Sequence, residues 1–392
     1  VTTLDMTGLR AMPAQVWGGI RLVPLVRAEA VPGLRLHHRV YGGNGLVTVR
    51  PGTRYWSYVP HGIVADWSGR DGEDVGDGED GESAAYGTRL APGGDTGVPD
   101  CVPVRRHHRM AKRVRTKGVA EKRIRFLPLH LALEGYLSLH FGGPSVLWED
   151  WSRQAVRQGL SPRAEAAYGG WQVPGLDEAL RIFEIHPDQC GLMIYAADAL
   201  AAAFVVPHPD DYRVLHPSLV EDLFGDLVHQ YARFGARVQD FTARIGDHPG
   251  LRTLADLRAA AGAQQRAWEE AHGTLLAAGL LDSSYAFERV YRMDRFALWR
   301  FLPSFRLGRG EQHIGEVITD HKGCVAYLKT FRLSEAQVRR GHLLSVLGEH
   351  DWHLTNTAQT LGTSRDALVR RIRDAGFGAL LRARDPRHTP RA

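Results

Sequence analysis

The stretch Ser364-Arg365-Asp366-Ala367-Leu368-Val369-Arg370-Arg371-Ile372-Arg373 carries residue types that suit contact with a nucleic acid. Leu368 and Ile372 fall four apart, on one side of a helix. Arg365, Asp366, Val369, Arg370 and Arg373 fall on the other. Ser364 stands where an N-cap belongs, and Gly376 stands where a helix stops. In a major groove, side chains near the start of such a helix reach base edges, which selects Arg365 and Asp366 beside the capping Ser364. Val369 would meet a thymine methyl. Arg370, Arg371 and Arg373 are better placed for phosphates, where they add affinity but little sequence information.

Two further groups could carry chemistry. Between Arg105 and Arg125 there are ten Lys or Arg against the single Glu121. Arg105, Arg106, Arg109, Lys112, Arg113 and Arg115 are the candidates there for the phosphate of a nucleotide-like ligand. The same run suits a nucleic-acid surface, or a solvated hairpin facing the acidic stretch 66–82. The second group is Glu184, His186, Asp188 and Cys190 with His208, Asp210 and Asp211. Converging, these would serve acid–base work or hold a metal; apart, they are ordinary polar turns. Phosphate-loop, HExxH and GxSxG signatures are absent from the sequence, and nothing in it calls for a cofactor or a metal.

The elements that would position these residues can be read from periodicity. Residues 15–65 alternate as short strands separated by Gly and Pro, and residues 285–331 return to strand-like runs at Phe287–Tyr291, Phe296–Phe301, Ile314–Ile318 and Val325–Leu328. Leu127–Phe141, Trp148–Arg157 and Leu176–Phe183 read as helices. So does much of 250–281, and Leu219–Phe234 is amphipathic. Leu192–Tyr195 and Ala201–Val206 read as a buried pair of strands. At the C-terminus, Ser334 caps a helix with Val338, Leu343, Leu344 and Leu347 inward. A second helix runs from about Leu354 to Gly362, and Gly362 supplies the turn into the third.

The C-terminal residues Trp352, Ala358, Leu361-Gly362, Ser364-Arg365, Leu368, Arg371-Ile372 and Gly376 resemble the Fis-type helix-turn-helix of bacterial regulators over residues 334–380. That resemblance implies double-stranded DNA as partner, bound as a homodimer. The chain departs from it at Asp351-Trp352, where family members often carry Gly-Asn. Farther upstream, Pro13-Ala14-Gln15-Val16-Trp17-Gly18 with Val23-Pro24-Leu25, and the block Gly191–Val206 followed by Leu219–Asp226, resemble the ARPP family over roughly 12–235. The family's name records association with ADP-ribosylglycohydrolase and rhodanese-phosphatase proteins. The resemblance implies a role near ADP-ribose or nucleotide metabolism and transfers no catalytic residue.

At 392 residues and a formal charge of +5, the chain has room for two or three domains. Residues 334–392 carry ten Arg against six Asp or Glu, so a net +4 sits in this tail. Three well-separated cysteines, no apolar run long enough for a membrane span and no leader-like start lead to the expectation of a cytoplasmic protein without a membrane partner. The expected fold class is α+β. A mixed sensory or scaffold domain at 12–235, with a disordered acidic insert at 66–100, precedes a helical connector and β-type block at 236–331. An all-α helix-turn-helix domain at 334–380 and a basic tail at 381–392 follow. The expected function is a DNA-binding transcriptional regulator with an N-terminal ligand-sensing or scaffold domain. The alternative is an enzyme or processing factor acting on an ADP-ribosyl or nucleotide substrate, tethered by its C-terminal helices.

Overall fold

The computed structural model describes residues 3–38, 46–50, 53–56, 63–67, 88–90, 110–113, 122–125, 183–217, 219–220, 223–241, 243–245, 250–308 and 310–382. The helices expected at Leu127–Phe141 and Trp148–Arg157, most of Leu176–Phe183 and most of the acidic insert lie outside these residues. Along the chain come β1 (Leu9–Ala11), β2 (Gln15–Trp17), β3 (Ile20–Arg27), β4 (Arg35–His38), β5 (Leu46–Arg50), β6 (Thr53–Trp56), β7 (Ile63–Asp66), β8 (Thr88–Leu90), β9 (Met110–Arg113) and β10 (Lys122–Arg125). Then follow β11 (Gln189–Ala196), β12 (Ala199–Val205), α1 (Pro209–Pro217), α2 (Leu223–Phe234), α3 (Leu254–Ala271), a π-helical turn (His272–Leu276) and α4 (Ala278–Leu281). The chain continues through β13 (Ala286–Met293), β14 (Phe296–Leu302), β15 (His313–Thr319) and β16 (Val325–Arg332) to α5 (Glu335–Glu349), α6 (Leu354–Thr360), α7 (Arg365–Asp374) and α8 (Gly378–Arg382).

A nine-stranded antiparallel sheet dominates, in the order β1-β3-β11-β12-β16-β15-β14-β13 with β2 also on β3. β1 and β2 share one side of β3, pairing with Leu25–Arg27 and Ile20–Leu22 respectively, so together they form a single interrupted edge. Helix α3 caps that edge. Gln265 Nε2 donates to the Ala11 carbonyl at 3.0 Å and Trp268 Nε1 to the Met12 carbonyl at 2.8 Å, satisfying acceptors that would otherwise template another strand. Smaller sheets, β10-β9-β6-β5 and β4-β7-β8, are formed by the segments between β3 and β11.

The large sheet is buried on both faces, which explains why β3, β11 and β16 read as continuous apolar runs. Side chains alternate between faces with period two. On the first face, Ile20, Leu22, Leu192, Ile194 and Phe204 meet α1, α2 and the C-terminal helices in one cluster. On the second, Val23, Leu25, Met193, Phe301 and Leu328 meet Trp268, Ala277 and Leu280.

The expected α+β class, with an all-α C-terminal domain, is therefore corrected: a large antiparallel sheet dominates. Leu343, Leu344, Leu347, Trp352, Leu368 and Ile372 belong to the same buried cluster as the sheet residues Leu192, Phe204 and Phe331. The ring of Phe305, just after β14, lies where a Gly341 Cβ would stand on α5. Short helices bury too little against one another, and the sheet supplies the apolar surface they lack. The β-type block joins the same sheet, because β16 pairs with β12 along Ala202–Val205.

Local chemistry sets the ends of these helices. Ser334 accepts from the Gln337 amide while the Gln337 side chain accepts from the Ser334 amide, a reciprocal cap. Helices α5, α6 and α7 all end with paired bonds in which one amide reaches three residues back and the next reaches five: Asp351 and Trp352, Gly362 and Thr363, Gly376 and Phe377. The first residue of each pair has positive φ, 49° at Asp351, 60° at Gly362 and 89° at Gly376. At Gly362 an added Cβ would meet nothing within 4 Å, so only the backbone conformation opposes it. Gly362→Ala is expected to cost about 1–2 kcal/mol in urea denaturation, and a neutral result would refute the turn.

Candidate functional site

Helix α7 presents its arginines to solvent from a fixed base. Ser364 Oγ accepts from the Ala367 amide at 3.2 Å, and Leu368 and Ile372 are fully buried beneath the helix. Arg365, Asp366, Arg370, Arg371 and Arg373 are exposed, as is Ser364, and Val369 is half-buried. None of the four arginines forms an ion pair among the described residues. Exposed arginines on this capped helix give its outer face a concentration of positive charge. Fork-shaped guanidinium groups match phosphate and guanine edges geometrically.

Of the basic run, only Met110–Arg113 and Lys122–Arg125 are described; Arg105, Arg106, Arg109 and Arg115 lie outside the described residues. β9 and β10 pair antiparallel, with Lys112 in register with Arg123 and Arg113 with Lys122.

The acidic and histidine cluster is brought together only loosely. Arg213 bridges its two halves, donating to the Pro187 carbonyl at 2.8 Å and to Asp210 Oδ1 at 3.3 Å. The side chains serve local structure instead of converging. His186 Nδ1 accepts from the Asp188 amide and His208 Nδ1 from the Asp210 amide. Asp211 takes a two-pronged bond from Arg35 and a third from the Leu36 amide, tying α1 to β4. Cys190 is buried beside Arg27, and burial pushes its thiol up to about 11, which keeps it unreactive. Among the described residues no group of three or more His, Cys, Asp or Glu is arranged to hold a metal ion. Nor is any described helix long and apolar enough to cross a membrane.

A family model, ARPP-2, matches residues 4–294. The chain belongs to the ARPP-2 family. The match is wider than the 12–235 expected from short motifs, and it ends inside the β13–β14 hairpin. No curated protein and no solved structure matches the chain. No Fis-type match accompanies the ARPP-2 match over 334–380.

The ARPP-2 match thus stops short of β14, β15 and β16, although these strands sit between β12 and β13 in the sheet. Buried polar groups that the sequence reading passed over come from both sides of that boundary. Within the match, the Tyr195 hydroxyl and His272 Nε2, at the start of the π-helical turn, are hydrogen-bonded at 2.8 Å. The Tyr212 hydroxyl and His216 Nδ1 make a second such pair at 2.8 Å on α1. Beyond it, His313 is fully buried 3.7 Å from Glu311, which also faces Arg332 at 3.6 Å. The half-buried Arg300 and the buried Glu316 and Lys329 form one row across β14, β15 and β16 on the first face of the sheet. A signal existed for these: Glu316 and Lys329 interrupt otherwise apolar strands, His313-Ile-Gly-Glu316-Val-Ile and Val325-Ala-Tyr-Leu-Lys329.

Burial pushes His216 and His272 down to about 4, with Arg21 adding to the shift at His272. Unfolded histidines take up a proton near 6.5, so acidification from about 6.5 toward 4 favours the unfolded chain. Urea midpoints are expected to fall steadily through that window, and less steeply in the variant His216→Gln. A flat profile would contradict the burial of both imidazoles.

Proposed function

We propose that this ARPP-2 protein binds double-stranded DNA through α7 and acts as a transcriptional regulator. The observation that carries this reading is the outer face of α7, with four exposed arginines unpaired among the described residues and an inner face anchored by Leu368 and Ile372. Insertion of its N-terminal end into a major groove would set Arg365 and Asp366 at base edges and Arg370, Arg371 and Arg373 along phosphates. One such helix buries little surface, so tight binding calls for two copies on a two-fold site. The basic run between Arg105 and Arg125 would take the phosphate of a nucleotide-like ligand that reports metabolic state to α7.

The test is selection of bound duplexes from a randomised pool, followed by anisotropy at several salt concentrations. Wild type is expected to enrich one motif. Arg365→Ala should relax the preference at one position, at a cost of about 1–3 kcal/mol. Arg373→Ala should weaken all sequences alike and lower the salt slope by about 0.9. Absence of enrichment, with binding insensitive to salt and to both substitutions, refutes the proposal.

A further inference from the structure

Among the described residues, the second face of the sheet is covered by α3 and α4 near its centre and opens toward the β13 edge. There Trp299 and Phe287 are half-buried at the margin of the core, while Arg289 and Arg292 are exposed. The indole of Trp299 is held in place, its Nε1 donating to Thr319 Oγ1 at 3.1 Å. The Arg289 guanidinium stands 6.0 Å from the Trp299 ring centroid. Phe287 is braced by Phe301, with ring centroids 5.7 Å apart, and by Tyr285 at 6.2 Å.

Strand register completes the surface. Arg292 pairs with Ala297, and Ala297 with Thr319, so short side chains flank the indole on its own face. Neither Arg289 nor Arg292 has an ion pair among the described residues. The neighbouring acid, Glu288, pairs with Arg300 and belongs to the other face. Among the described residues no strand adds to the outer side of β13, whereas the opposite edge of the sheet is capped by Gln265 and Trp268.

We infer that this corner of the sheet, built from Trp299, Phe287, Arg289 and Arg292, binds single-stranded nucleic acid. Bases stack on the phenyl ring and, as Arg289 leaves the indole face for a phosphate, on the indole as well, with the two guanidinium groups taking the phosphates between them. The charge and the aromatic surface point to the same occupant. An acidic peptide satisfies the arginines but leaves the indole unused, and a duplex hides the base faces that the rings would contact. The site is independent of α7 and of the duplex reading.

The experiment uses the full chain with a fluorescently labelled oligothymidylate and, separately, a labelled duplex. Wild type should bind the oligothymidylate, and Arg289→Glu with Arg292→Glu should weaken it about tenfold or more. Both positions are exposed, so these variants keep the fold, and circular dichroism checks it. Trp299→Ala should weaken the oligothymidylate about tenfold, with Trp299→Phe retaining most of the binding. Arg370→Ala should leave oligothymidylate binding unchanged whatever it does to the duplex, which separates failure here from failure at α7. Unchanged binding in the charge-reversed variant, loss only in the α7 variant, or equal competition by thymidine monophosphate or polyglutamate would each overturn the inference.

Discussion

A chain shortened to end at Leu333 is expected to lose its cooperative unfolding transition, although it retains the whole ARPP-2 match and every strand of the large sheet. The deleted segment carries Leu343, Leu344, Leu347, Leu368, Ile372 and Phe377, all essentially inaccessible to solvent and clustered with sheet residues such as Phe204 and Phe331. Each large apolar side chain contributes about 1.5–3 kcal/mol by burial. Six of them together match or exceed the roughly 5–15 kcal/mol that holds a whole domain. The first face of the sheet would be left open, an exposed apolar surface that favours aggregation. Circular dichroism and urea titration of the full and shortened chains decide the matter. A shortened chain that unfolds sharply at the midpoint of the full one would make α5–α8 an appendage and leave the shared core without meaning.

Substituting Glu316 is the second large effect. Lys329 is wholly buried, and burial pulls its ammonium down to about 8 against the opposing influence of Glu316. Glu316 is itself 1% exposed, stands opposite Lys329 in the β15–β16 register and faces Arg300 at 4.0 Å. Glu316→Leu removes the negative member from between two cations. An uncompensated buried charge of this kind costs about 3–5 kcal/mol. The double variant Glu316→Leu with Lys329→Met removes the buried pair and is expected to recover most of that loss, since apolar replacements of buried ion pairs are often neutral or stabilising. Urea midpoints of the wild type, both single variants and the double variant form a closed cycle. A Glu316→Leu midpoint equal to wild type, or a double variant worse than both singles, would contradict the pairing.

Much of the local structure was legible in residue order. Strand-like runs at 285–331 became β13–β16 with similar bounds, because alternation and β-branched content report a pleated, buried surface. Ser334 and Ser364 marked helix starts, since a hydroxyl at that position satisfies an otherwise orphaned amide. The departure noted at Asp351-Trp352 became two consecutive residues at positive φ, 49° and 63°, with Trp352 buried. The turn forms there without glycine because the indole is anchored in the core.

The candidate sites were legible unevenly. The exposed face of α7 followed from helical spacing alone. The cluster at Glu184–Asp211 failed to converge because its polar atoms were spent on turns and on Arg35 and Arg213, partners that no spacing rule names. The Tyr195–His272 pair joins residues 77 apart in sequence, and its partners meet only because the π-helical turn lies over β11.

The sequence by itself determined the periodicities, the caps and turns of the C-terminal helices, the basic outer face of α7 and the family of residues 4–294. Those properties depend on neighbours within a few positions, or on short patterns that recur intact. Only the tertiary structure decided that β14–β16 insert between β12 and β13, that α5–α8 close the same core, and that Arg300, Glu316 and Lys329 share a row. Such contacts bring together residues far apart in the chain. An apolar stripe records that a face must be buried, while the fold alone settles which surface buries it.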